Sequence, residues 1–199
     1  MPKVAAKRIA RKPKLGQHFL TDDAAAHRII DALGDVSHGT VLEIGPGRGV
    51  LTSILAKRAR RLIAIELDRV LAAQLRMKFA LYPNVEVIEG DATDTGLEVN
   101  RFSAVMCFSV LHHMPTAGDQ DRLFFEVGRV LRPGGIFVGV DGRDLEPIRA
   151  SHAGDTFNPV PPGTLPGRLQ ATGLADVRVD TDDYQIRFVA SKPGVVGST

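Results

Sequence analysis

An α/β domain built on a mostly parallel sheet is the fold class this sequence predicts, and three observations predict it. Short apolar runs that stop at a glycine or an acid alternate with segments of helical spacing along most of the chain. The first such run opens directly into a glycine loop and then a helix, as a strand–loop–helix unit does. The last two runs are separated only by an acidic turn, so they should close the domain as an antiparallel hairpin. At 199 residues the chain has room for one such domain with a sizeable core, and none for a large two-domain enzyme.

In chain order, Thr21-Asp22-Asp23 starts a helix with an apolar stripe at Ala26, Ile29, Ile30 and Leu33, closed by Gly34. Residues 41–44 read as a buried strand and 51–59 as a helix. A second strand, 62–65, ends at Glu66, and Asp68 caps a helix expected to carry Val70, Leu71, Leu75 and Phe79 on one side. Residues 85–88 form a third strand before Glu89-Gly90-Asp91, and 102–108 a fourth. Helical spacing runs over 119–131, and Pro133-Gly134-Gly135 is expected to stop it ahead of a strand at 136–140. Residues 141–163 show no period and read as a lid-like loop. Thr164 begins a short helix ended by Gly173, and strands at 177–179 and 184–190 bring the count to seven. The expected organisation is a basic tail over 1–14, one domain over 15–191 and a frayed end over 192–199.

With 44% hydrophobic and 24% charged residues, the composition excludes a disordered or fibrous chain. No apolar run approaches the length of a membrane span, so no membrane partner is expected and a cytoplasmic location is. The single cysteine, Cys107, excludes an internal disulfide and a Cys-based metal site, and it reads as a small apolar strand residue. The net charge of +2 is unevenly spread: Lys3, Lys7, Arg8, Arg11, Lys12 and Lys14 all precede the first acid, Asp22. Those six set aside, 19 basic residues face 23 acidic ones, so a basic tail precedes a mildly acidic body.

The strongest motif is Val41-Leu42-Glu43-Ile44-Gly45-Pro46-Gly47-Arg48-Gly49. A dinucleotide fingerprint needs its third glycine at position 50, where Val50 stands, so the nicotinamide reading weakens. Two further acids end or follow strands, Glu66 and Asp91. Together these residues resemble the class I S-adenosylmethionine-dependent methyltransferases over about residues 15–140. That resemblance implies a Rossmann-like, seven-stranded sheet with helices on both faces and S-adenosyl-L-methionine as cofactor. It assigns Gly45 and Gly47 to the methionine and ribose part, Glu66 to the ribose hydroxyls, Leu67 beside it to cofactor contact, and Asp91 with Ala92 to adenine. A carboxylate suits a vicinal diol because it offers two acceptor oxygens. Glu43 either faces the methionine ammonium or is tied to backbone amides at the strand end.

Within that superfamily, Lys14-Leu15-Gly16-Gln17-His18-Phe19-Leu20 is similar to the N-terminal motif of ribosomal RNA adenine dimethyltransferases, whose usual form is G-Q-N-F-L. This implies cofactor contact by His18 and Leu20, with Gln17 in support. The likeness lapses after the fourth strand. Where that subfamily has N-L-P-Y or a relative of it, this chain has Ser109-Val110-Leu111-His112-His113-Met114-Pro115, without the amide or the stacking aromatic. That segment and Arg129 to Gly135 are instead similar to methyltransferases of small molecules, and the helical C-terminal domain of the RNA enzymes is not expected here. Ser109 is implied to face cofactor. His112 and His113 are the candidate catalytic bases, or else packing residues. His152, Asp155 and Asn158 match no usual metal spacing, so no metal is expected. Lys57, Arg58, Arg60 and Arg61 form either a solvated face or a phosphate-binding patch.

The expected function is methyl transfer to a small molecule. An RNA methyltransferase acting on ribosomal adenine, reached through the basic tail, is the alternative, and a non-catalytic S-adenosylmethionine-binding regulator is a third. Oligomeric state is not legible.

Overall fold

The structure is a computed structural model, and it describes residues 23–194. The tail over 1–14, the expected cofactor residues Gln17, His18 and Leu20, and residues 195–199 lie outside the described residues.

The elements run α1 (Asp23–Asp31), β1 (Thr40–Ile44), α2 (Val50–Arg58), β2 (Arg61–Glu66), α3 (Arg69–Lys78), β3 (Val85–Glu89) and β4 (Phe102–Phe108). A 3₁₀ turn at Leu111–His113 follows, then α4 (Ala117–Val130), β5 (Leu131–Gly142), α5 (Glu146–Ser151), α6 (Leu165–Gln170), β6 (Ala175–Thr181) and β7 (Gln185–Ser191). The seven strands form one sheet in the order β3-β2-β1-β4-β5-β7-β6. The first five are parallel, and β7 runs antiparallel to both β5 and β6. The chain winds outward from β1 to β3 and then returns to β4 beside β1. That reversal opens a crevice at the carboxyl ends of β1 and β4, where open α/β sheets bind ligands.

Side-chain alternation supplies both faces of the sheet. Leu42, Ile44, Ile63, Ile65, Val105 and Cys107 pack with α4 and α6 on one face. Val41, Leu62, Ala104 and Met106 pack with α1 and α2 on the other. At about 25 cal/mol per Å² of apolar area buried, these two layers are the main stabilising term. Cys107 is buried as expected, and burial drives its thiol pKa well above the usual value, so it is no nucleophile.

Several boundaries differ from the sequence expectation for definable reasons. Val70 is exposed, because the helical period turns Ala72, Leu75 and Phe79 inward and Val70 away. Helix α4 starts two residues early on a capping box in which Thr116 and Asp119 bond reciprocally. Pro133-Gly134-Gly135 does not stand between helix and strand: β5 begins at Leu131, and the three residues ride in a bulge between the pairs Phe102–Leu131 and Ala104–Ile136. The 141–163 stretch contains α5 and is pinned, with Asn158 N donating to the His112 carbonyl at 2.7 Å and Gln120 Nε2 donating to the Asn158 carbonyl at 2.8 Å. It is an anchored cover rather than a free lid. Lys192, expected to fray, donates from Nζ to the Gly128 and Leu131 carbonyls and from its amide to Gly135.

Candidate active site

The glycine loop leaves β1 at the crevice. Gly45, Gly47 and Gly49 all have positive φ, which an L side chain rarely adopts. At Gly49 a β-carbon would also sit 2.7 Å from Leu75 Cδ2, so this glycine lets α2 pack on α3. At Gly47 a β-carbon would meet no heavy atom of the described residues within 4 Å, so the space beside this glycine is open.

Glu66, at the end of β2, is buried and held from both sides. Its Oε2 accepts from Gly47 N at 3.0 Å, and its Oε1 accepts from Asp68 N at 2.9 Å. Each oxygen keeps a lone pair for a further donor, so the carboxylate is presented as a two-point acceptor. Asp68 in turn caps α3, its Oδ1 accepting from Val70 N at 2.7 Å and Leu71 N at 3.2 Å. Leu67 between them is exposed at the rim.

Glu43 is buried on β1, and its Oε2 has no hydrogen-bond partner among the described residues. Burial, reinforced by the charge of Glu66, pushes its carboxyl up to about 7. Asp91, just past β3, is exposed. Its Oδ1 accepts from Thr93 N and Thr93 Oγ1 at 2.8 and 2.9 Å, while Ala92 packs inward. Its loop is tied down by Arg129 of α4, which forks onto Glu126 and donates to the Leu97 carbonyl. That contact with Arg129, first among several, holds Glu126 at about 2. Gly45, Gly47, Glu66, Glu43, Asp91 and Ala92 therefore sit along one edge, at the ends of β1, β2 and β3.

The other wall follows β4. Ser109 adopts φ 53°, and its amide donates to the Val140 carbonyl at 2.8 Å. A narrow cavity between Ser109, His112, Gly142, Ile148 and His152 lies beside it. His112 is buried, and its Nδ1 hydrogen-bonds Asp141 Oδ1. Asp141, at the end of β5, also accepts from the Leu111 and Gly142 amides. The His113 ring lies tilted against that of His112 with centroids 4.0 Å apart, and burial first, then the neighbouring histidines, lowers its pKa to about 4. His113 is therefore neutral at physiological pH.

Sequence reasoning missed Asp141. Its signal was the acid closing the strand run Gly139-Val140-Asp141, the same pattern that marked Glu66. Asn158 proved structural, bonding the Met114 carbonyl as well as His112. Of the basic cluster, Arg58 pairs with Asp31 and Arg61 with Glu86, at the edge of the sheet where β2 begins, opposite the crevice.

A sheet of this order, with a glycine loop at its switch point and acids closing the adjoining strands, is the fold of the class I S-adenosylmethionine-dependent methyltransferases. Solved structures agree on the fold. Phosphoethanolamine N-methyltransferase 2 of Haemonchus contortus, solved with S-adenosyl-L-methionine, superposes with TM-score 0.74 at 16% identity over 85% of this chain and 52% of that one. Geranyl diphosphate C-methyltransferase of Streptomyces coelicolor does so with TM-score 0.73 at 15% identity over 85% and 80%. More particularly, the chain belongs to the ribosomal RNA adenine dimethylase family, whose profile matches residues 9–118, over half of the sequence. It is 58% identical over 94 residues to ribosomal RNA small subunit methyltransferase A of Koribacter versatilis, covering 46% of this chain and 33% of that protein. The protein of the same name from Acidobacterium capsulatum is 57% identical over 88 residues, 44% and 31% of the two chains. This chain thus spans about a third of the length of the curated relatives it matches. Among the described residues no helix is long and apolar enough to cross a membrane.

Proposed function

We propose that this protein binds S-adenosyl-L-methionine at the ends of β1, β2 and β3 and transfers its methyl group to an adenine amino nitrogen of RNA. Family membership is the observation that carries the reading, since relatives 57–58% identical over their matched segments are named for the small-subunit ribosomal RNA.

The residues present fit the cofactor. Glu66, held by two amides, takes the ribose hydroxyls; the open cradle at Gly47 takes the ribose and methionine portion; the unpartnered Glu43 Oε2 takes the ammonium. Asp91 and Ala92 take the adenine end, with Leu67 and Ser109 at the rims; Gln17, His18 and Leu20, outside the described residues, are the further contacts that the family motif implies. The cofactor supplies a methyl group already activated on a sulfonium, so the protein's own work is orientation and exclusion of water. Among the described residues, His112 and His113 stand on the acceptor side of that edge, where the catalytic groups were expected, and we assign them to the acceptor wall.

One observation favours a second reading, a small-molecule acceptor. The segment after β4 has histidines where adenine N6-methyltransferases of this family carry the amide and stacking ring, and the anchored 141–163 cover roofs it.

Methyl transfer from tritiated cofactor to deproteinised small-subunit ribosomal RNA, run beside a protein-free metabolite extract, tests both. Label recovered as N6-methylated adenine supports the RNA reading; label only in the low-mass fraction replaces it with the second. Absence of cofactor binding by calorimetry would overturn the class assignment for this chain.

A further inference from the structure

Three imidazoles from two distant stretches of chain meet under the cover that follows β5. His112 and His113 come from the 3₁₀ turn and His152 from the end of α5, and one ring nitrogen of each lies within 4.8 Å of one nitrogen of each of the others. A core of packed aromatics explains ring contact but not what the nitrogens do. His112 Nε2, His113 Nδ1 and His152 Nε2 are each buried with no hydrogen-bond partner among the described residues. The opposite nitrogens of two rings are committed: His112 Nδ1 donates to Asp141, and His152 Nδ1 donates to the Ile148 carbonyl at 2.7 Å. Both rings are thereby held in the tautomer whose Nε2 carries a free lone pair. Two Nε2 lone pairs so freed, in a cluster whose third imidazole brings a ring nitrogen within 4.8 Å, call for an electrophile.

We propose that His112, His113 and His152 bind one divalent first-row transition-metal ion. Imidazole nitrogen is a preferred donor for zinc, iron, nickel and copper, and a carboxylate or carbonyl on the far ring nitrogen is the support such ligands usually have. Asp141 and the Ile148 carbonyl supply that support here. Charge agrees as well. Asp141 is buried, and its sole ion-pair partner among the described residues is His112, so a cation on the cluster would lie one imidazole away from a buried carboxyl group. Tetrahedral bonds of about 2.0–2.1 Å place ligand nitrogens roughly 3.3 Å apart, so the widest pair closes by at most about 1.5 Å, within reach of side-chain rotation. Three protein ligands leave a coordination position open, as catalytic rather than structural sites do. With a metal in place, the two adjacent histidines serve as ligands, not bases.

The inference rests on neither the acceptor nor turnover, so it can fail while methyl transfer stands, and the reverse. The test uses the full chain, stripped by chelator, titrated with zinc chloride by calorimetry and with cobalt(II) by absorption. One equivalent bound, with ligand-field bands of four- or five-coordinate cobalt, is expected. That equivalent should persist when the exposed His27 and His38 are both changed to Ala, vanish in His152→Ala, and weaken about 10- to 100-fold in Asp141→Asn. A wild-type titration with no saturable equivalent, or a cobalt spectrum like that of the free aqua ion, overturns the proposal whether or not the variants fold.

Discussion

At the ends of β1 and β2, the groups of the proposed site are a glycine loop and a carboxylate fixed by backbone amides. Beyond β4 they are side chains fixed by other side chains: His112 by Asp141, and His152 by its own helix carbonyl and Phe157. The contrast teaches where specificity resides. A platform built from main-chain atoms changes little with sequence, so it suits the invariant partner of a reaction. A wall built from side chains is rewritten by a few substitutions, so it suits the variable one. The family profile covers the whole first region but stops at residue 118, so it includes His112 and His113 without Asp141 or His152.

Substitutions should separate the two regions, beginning with the largest effect. Glu66→Ala removes an acceptor for two hydroxyls, and at roughly 1.5–3 kcal/mol per charged hydrogen bond the cofactor Kd should rise at least about 100-fold by calorimetry. His112→Ala should abolish most turnover yet leave cofactor Kd within about threefold, since the His112 side chain bonds to Asp141 and not to Glu43, Glu66 or the glycine loop. Equal damage to both quantities would erase the distinction.

Within the platform, two glycines should fail differently. Gly49→Ala meets Leu75 and Phe79 at positive φ and should lower stability by about 2–4 kcal/mol, read as a fall in Tm. Gly47→Ala meets no protein atom, so strain alone costs about 1–2 kcal/mol, while cofactor binding falls disproportionately.

A smaller effect concerns pH. With the Glu43 carboxyl at about 7 in the folded chain, the cofactor's ammonium favours its ionised form, so affinity should rise as pH increases through 7 and protons should be released on binding. Without cofactor the sign for stability is opposite. A raised carboxyl stabilises the fold fully below its unfolded value near 4.5, and that contribution is lost as pH climbs to about 7. Glu43→Gln should flatten both profiles.

The platform was legible in the sequence because its signals are local. Val41 to Gly49, Glu66 and Asp91 each mark a strand end within a few residues, and the structure sets them along one edge. Seven strands and their antiparallel close were legible for the same reason. The opposite wall was not, because its meaning is non-local. His112 and His113 stood out, but Asp141 lies 29 residues past His112 and His152 a further 11 on, and no spacing rule joins them. The capping box at Thr116 was readable and overlooked. The bulge at Pro133-Gly134-Gly135 required knowing that β5 pairs with β4 on both sides of it.

Strand β7 lies between β5 and β6, so the last of the seven described strands in chain order is an interior one. Until residue 191 has emerged, the edge of β5 is bare, Phe188 has not closed over Gly139, and β6 has no neighbour to pair with. An unpaired edge beside exposed apolar surface is what chaperones hold and aggregates recruit. A nascent chain halted between β6 and β7 should therefore be the most chaperone-dependent of these lengths, although the residues of the proposed cofactor platform, Glu43 to Ala92, have already left the ribosome.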